Sequence, residues 1–217
     1  MILASLKPYY YYLIGERKKT IEVRKSALKD LPQDIAFYMS KDEKSFAKIP
    51  KEFQEKYRKH FGKVGIKVVC DKVEKFYCAS VPYQKKNNLG YGQFVDNGVY
   101  KVNGWHEGVV FERNDRYIDT MLNNNDLKEM CLSAQELFDY IGIGKYLYAW
   151  HISDLKIYDK PKNLSEFYRP CSYSGICYSC ERFRPNGTPN DKPNDFCDGT
   201  ITRPPQSYMY VKELGDI

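Results

Sequence analysis

The chain has 217 residues, 42% of them apolar, with a formal charge of +6. That is enough for one large domain or a small elaborated one, and enough apolar material for a packed core. The mild positive balance permits a polyanionic partner without requiring one, and no apolar run approaches the roughly 20 residues that cross a bilayer.

Residues 2–6 form a first apolar strand, and Lys7-Pro8 opens a short helix that stops at Gly15, since proline suits a first helical turn. The segment 2–6 is too short for the apolar core of a signal peptide. With no leader or membrane span read, the chain is expected to be cytoplasmic. Thr20 to Arg24 follows as a half-buried strand. Its side chains alternate, so Ile21 and Val23 point to a core while Thr20, Glu22 and Arg24 share the other face. Glu22 and Arg24 then stand roughly 7 Å apart along the strand, with Lys19 just before them. The ordinary reading is a surface strand with exposed ion pairs; the sharper one is a polar site facing a pocket.

Residues 34–40 read as a buried strand. Phe46, Ile49, Phe53 and Tyr57 recur at helical spacing within a charged stretch, placing a surface helix around 50–61 that ends at Gly62. Val64 to Tyr77 is a long strand. Gly90-Tyr91-Gly92 marks a loop whose ring either packs or stacks on a base. Residues 99–113 suit a hairpin turning at Asn103-Gly104, and 126–130 suit a helix. Ser133 followed by Glu136 has the capping-box form and opens a helix to Tyr140. A strand over 148–158 and a closing strand within 203–211 complete the series.

The segment Leu3 to Gly15 followed by Lys19-Thr20-Ile21-Glu22-Val23-Arg24-Lys25 resembles the opening of the ASCH family, small β-barrel domains of the PUA-like superfamily. The family signature is a glycine, a lysine, then Glu-x-Arg. Lys19, Glu22 and Arg24 match at the family spacing, whereas Gly15 lies two residues further upstream, as though Arg17-Lys18 were inserted in the turn. Residues 131–140, the run Trp150-His151-Ile152-Ser153-Asp154-Leu155, residues 160–167 and residues 203–211 are similar to phage- and prophage-type ASCH-like proteins. The resemblance implies an α+β fold: a PUA-like β-barrel with short peripheral helices over 1–170 and 200–217, a helical insertion near 41–62, and a Cys-rich insertion over 171–199.

It also implies a cleft between the first helix and the central strands that receives RNA or a modified base. Here Ser5, Lys7, Lys19, Glu22, Arg24 and Ser40 would line it, and Trp150 or a tyrosine would stack on the base. Some small ASCH relatives hydrolyse the amide of an acetylated cytidine with a lysine, a threonine and a distant glutamate. Lys19 matches that lysine, but Glu22 stands where the threonine falls, leaving Thr20 and Glu74 as catalytic candidates. A third reading is an interaction protein of a mobile element that binds a protein partner without catalysis.

Cys171, Cys177, Cys180 and Cys197 follow C-x5-C-x2-C-x16-C in a stretch poor in apolar residues. Four thiolates around a structural zinc would supply what packing does not, and would leave no open position for catalysis. Incidental thiols or a redox pair at Cys177 and Cys180 are the alternatives. Cys70, Cys78 and Cys131 read as small buried hydrophobes, and His60, His106 and His151 as packed side chains rather than metal ligands.

Overall fold

The computed structural model describes residues 1–81, 99–101, 108–113, 122–168 and 201–213. In chain order the elements are β1 (Ile2–Leu6), α1 (Pro8–Gly15), β2 (Ile21–Arg24), β3 (Gln33–Met39), α2 (Glu43–Phe46), α3 (Lys51–Arg58), β4 (Val64–Val81), β5 (Val99–Lys101), β6 (Gly108–Arg113), α4 (Asn124–Met130), α5 (Ala134–Ile141), β7 (Tyr146–Lys162), β8 (Phe167–Tyr168), β9 (Tyr208–Tyr210) and β10 (Lys212–Glu213). The fold is therefore mixed α+β, with short helices between longer strands. Among the described residues no helix is long and apolar enough to cross a membrane.

Two compact units emerge. The first comprises Met1–Tyr11, Asp34–Lys67 and Lys156–Ile217; the second comprises Tyr12–Gln33 and Val68–Leu155. Helix α1 and the long strands β4 and β7 each contribute residues to both.

In the first unit the strand order is β4-β3-β1-β9. β1 pairs in parallel with β3, Ile2 opposite Ile35 and Leu6 opposite Met39, and antiparallel with β9, Ile2 opposite Tyr210. A strand flanked on both sides is apolar nearly throughout, which is why Ile2, Leu3 and Ala4 are fully buried. Leu3, Ala36, Tyr38, Val64, Phe167, Ile201 and Val211 form its apolar cluster. The surface helix expected around 50–61 is α3, which stops at Arg58, and a separate short helix, α2, precedes it. Asp42 accepts from the Ser45 amide at 3.0 Å to cap α2, and Pro50 begins a second start that ends at Arg58. Gly62 lies beyond that end with φ +74°.

In the second unit the order is β2-β7-β4-β6-β5. β2 lies antiparallel to β7 with Ile21 opposite His151, Glu22 opposite Trp150, Val23 opposite Ala149 and Arg24 opposite Tyr148. Ile21, Val23, Phe76, Cys78, Leu147 and Ala149 pack on one side of these strands against Leu137 and Ile141 of α5 and Met130 of α4. Both helices start on capping boxes, at Asn123 with Asp126 and at Ser133 with Glu136. β5 and β6 pair antiparallel, Val99 opposite Val110; the Asn103-Gly104 turn expected between them lies outside the described residues.

Candidate functional site

Alternation along β2 sends Ile21 and Val23 into the core and leaves Glu22 and Arg24 on the opposite side, beside Trp150 and Tyr148 of β7. Glu22 Oε1 lies 3.0 Å from Arg24 Nε, and Glu22 Oε2 lies 3.5 Å from Lys19 Nζ. All three side chains are buried: Lys19 is 2% exposed, Glu22 7% and Arg24 6%. They are thus no exposed surface pair but a desolvated set carrying one surplus positive charge. Lys19 also donates to the carbonyl of Met130 at the end of α4. Burial lowers its pKa below the usual lysine value, against the pull of Glu22 in the other direction.

Aromatic rings enclose this set. The Arg24 guanidinium carbon is 5.7 Å from the centroid of the Trp150 ring, within cation–π range. Trp150 is itself fully buried, and its Nε1 donates to the Ser26 carbonyl at 3.3 Å. The Tyr140 hydroxyl is held above its ordinary pKa, first by burial, with Glu22 raising it and Arg24 lowering it. A tyrosine of α5 therefore senses both charges of β2.

Lys19 also faces a pocket of about 70 Å³, lined with Arg17, Thr20, Ser153 and Asp154 among its polar residues. That is room for several waters or a small polar group. Two of its lining residues, Arg17 at φ 56° and Asp154 at φ 48°, hold left-handed backbone without being glycine. Such conformations persist where the surroundings over-determine them, and they gather at functional sites. Arg17 takes this position because the chain leaving α1 must turn back: the Lys18 and Lys19 amides both donate to the Leu13 carbonyl, at 2.8 and 3.1 Å. The left-handed residue of the turn is thus Arg17, one of the two apparently inserted residues, and not Gly15.

Of the other residues singled out in the sequence, Trp150 and Thr20 share the second unit with the charged set. Thr20 stands just ahead of β2, exposed, exchanging backbone bonds with Glu129 and Ile152. Ser5, Lys7 and Ser40 belong to the first unit. There Ser5 Oγ donates to the Pro205 carbonyl at 2.8 Å, Lys7 is exposed ahead of α1, and the Ser40 amide donates to the Leu6 carbonyl at 2.8 Å.

Glu74 shares its side of β4 with the core residues Phe76 and Cys78, and there it meets His151 at 2.6 Å and Lys72 at 3.0 Å. That His151–Glu74 pair was not legible in the sequence, where the two residues stand far apart with no motif joining them. Cys70 and Cys78 are buried thiols pushed up to about 11 by desolvation. Cys131 departs from the expected buried hydrophobe. It is only half-buried, in left-handed backbone at the end of α4, with its thiol donating to the Lys18 carbonyl at 3.1 Å. Cys171, Cys177, Cys180, Cys197, His106 and Gly90-Tyr91-Gly92 lie outside the described residues; among the described ones no group of His, Cys, Asp or Glu is arranged to hold a metal ion.

No family model matches the chain, and no curated protein does. Two solved structures do. ASCH from Zymomonas mobilis is 15% identical over 97% of this chain and 87% of that one, with a TM-score of 0.44. A point mutant of the same protein gives the same identity and TM-score over 97% of this chain and 89% of that one.

Proposed function

We propose that the chain is an ASCH-type protein of the PUA-like superfamily that binds RNA, or a nucleoside unit of it, at the Lys19–Glu22–Arg24 cluster. The observation that carries this reading is the position of Arg24. It is buried between the Glu22 carboxylate and the Trp150 ring, within a set that keeps one positive charge in excess. A desolvated surplus cation attracts an anion strongly, and a guanidinium offers planar, paired donors to a phosphate or a base edge. Glu22 supplies an acceptor for an exocyclic amine. The small pocket beside Lys19, which mixes Ile14, Val68, Ile152 and Leu155 with its polar residues, has room for the edge of a ligand and not for a chain of phosphates.

Fluorescence anisotropy with a labelled single-stranded RNA tests the reading. Arg24→Ala is expected to weaken binding about tenfold or more with the circular-dichroism spectrum unchanged. Wild-type affinity in a folded Arg24→Ala protein rejects the site. Lys19 and Thr20 line one pocket, so the amidohydrolase reading is tested on the same preparation. Release of acetate from acetylated cytidine, lost in Lys19→Ala, would replace binding by catalysis. Co-purification of a protein, with no RNA affinity, would favour the interaction reading.

A further inference from the structure

We infer that the face of the second unit turned away from its apolar cluster is a stacking platform for single-stranded RNA, running from Tyr77 and Tyr146 through Tyr148 to Arg24, and that the strand continues to Tyr140 of α5, beside Lys25 just past the end of β2. This rests on the RNA-binding reading above and names the strand's path.

Alternation fixes which residues share the face. Phe76, Cys78, Leu147 and Ala149 lie in the core, so Lys75, Tyr77, Tyr146 and Tyr148 project from the other side. The register of β2 on β7 then sets Arg24 opposite Tyr148 and Glu22 opposite Trp150. Three adjacent strands thus carry a continuous row of rings and basic groups leading to the charged cluster. Tyr77 and Tyr146 meet at 5.1 Å between centroids with planes inclined by 49°. Among the described residues the large apolar side chains left exposed are Leu31, Tyr140 at 41% and Tyr146 at 38%.

Both tyrosines carry a lysine. Lys75 Nζ lies 3.7 Å from the centroid of Tyr146, and Lys25 Nζ lies 4.7 Å from that of Tyr140. Each lysine holds a place that a base can take. An exposed cation–π contact contributes less than a base stacked on an aromatic ring, so the exchange favours the base. The displaced ammonium then meets the phosphate beside that base, and the anion is kept. Rings spaced along a basic face are what a flexible single strand needs; a duplex hides its base faces and gains only the charges.

Anisotropy with fluorescein-labelled oligoadenylate, titration with adenosine monophosphate, and a short RNA duplex together test the platform. Tyr146→Ala is a surface change and is expected to weaken oligoadenylate about fivefold or more, with mononucleotide affinity unchanged; Tyr140→Ala, beside the cluster, is expected to weaken oligoadenylate as much and the mononucleotide as well. Tyr146→Phe should bind as wild type, and Lys75→Ala should reduce the salt dependence by about one counterion. Arg24→Ala should weaken both ligands. If both tyrosine variants bind oligoadenylate normally while Arg24→Ala does not, the platform is wrong and the binding site stands. Equal losses on the duplex would also reject stacking. Failure of the wild-type protein to bind any of the three would reject both proposals.

Discussion

Glu22 Oε1 stands 3.0 Å from Arg24 Nε on the same short strand, and the second oxygen of that carboxylate faces Lys19 at 3.5 Å. One buried acid therefore balances two buried cations. Removing the charge of such an acid leaves its partners desolvated and uncompensated, at a cost of roughly 3–5 kcal/mol. Glu22→Gln keeps the shape and loses only the charge, so it should lower the unfolding free energy by about 3 kcal/mol. The neutral change Glu43→Gln, at an exposed pair with Arg58, should cost under about 1 kcal/mol. Urea melts of the two variants decide the matter. Equal, small losses would mean that water reaches the β2 cluster freely.

Lys19 gives the same cluster a signature in alkali. Burial lowers its folded pKa below the unfolded value, so the unfolded chain holds this proton more firmly. The cost of keeping the ammonium buried is fully present below the folded pKa. It falls away as pH rises from the folded pKa towards the unfolded value of about 10.4. The difference in unfolding free energy between wild type and Lys19→Met should therefore move in favour of wild type between pH 7 and pH 10. Taking the difference cancels the other lysines and tyrosines. A difference that does not change with pH would show that Lys19 titrates as an ordinary surface lysine.

How much of this could be read from the residues follows from what is local. The β2 strand, with Ile21 and Val23 inward and Glu22 and Arg24 on the other side, was legible because a period of two needs only neighbours. The helix at Ser133 was legible because its cap lies within four residues. The burial of Lys19 was not. It depends on the Met130 carbonyl, more than a hundred residues away, arriving at the end of α4. The pairing of Glu74 with His151 and the ring contact of Tyr77 with Tyr146 likewise arise only once β4 and β7 are adjacent. The separate helix α2 was masked by Phe46, Ile49, Phe53 and Tyr57, whose spacing suits one helix, although Pro50 stands among them.

The four cysteines at 171, 177, 180 and 197 give a prediction that rests on sequence alone. If they hold a structural metal, elemental analysis should find about one zinc per chain. Replacing Cys177 and Cys180 with serine should remove it and lower stability, because metal affinity in such sites is folding free energy. A metal-free wild-type protein with the same melting temperature in the presence of a chelator would leave these residues as ordinary thiols.

His60 predicts an acid-side loss of stability in the first unit. It is 1% exposed, its Nδ1 lies 3.0 Å from the Tyr11 hydroxyl, and Tyr57 packs beside it at 5.8 Å between centroids. Burial pushes its pKa down to about 4, helped by Lys59, Lys56 and Lys63. The Tyr11 hydroxyl keeps its proton, raised well above the ordinary value by burial, and is hydrogen-bonded to the ring. Because the folded pKa lies below the unfolded one, the unfolded chain takes up the proton first. Stability is lost as pH falls below about 6.5 and the loss is complete near the folded value, amounting to roughly 2–3 kcal/mol. His60→Gln cannot titrate and should flatten the profile between pH 7 and pH 4.5 relative to wild type. Parallel profiles for the two proteins would show that other groups carry the acid sensitivity.

The same buried pair explains why position 65 is glycine. A Cβ built there would lie 2.7 Å from the Tyr11 hydroxyl and closer still to the His60 ring. Neither side chain can give way, since each is buried and each is bonded to the other. The demand is for space and not for backbone freedom, which separates Gly65 from Gly142. At Gly142 the φ of +76° is the obstacle, and nothing lies within 4 Å of an added methyl. Gly142→Ala should therefore cost about 1–3 kcal/mol, because φ +76° with ψ 165° is backbone that glycine alone adopts readily, whatever else is mutated. Gly65→Ala should cost roughly 1–3 kcal/mol from overpacking. That cost should shrink when His60 is also replaced with alanine, because the methyl then enters the space the ring has left. A double-mutant cycle on Gly65→Ala and His60→Ala reads this directly as a coupling energy. Strict additivity of the two would mean that the strand and the ring do not touch, and that the glycine is there for another reason.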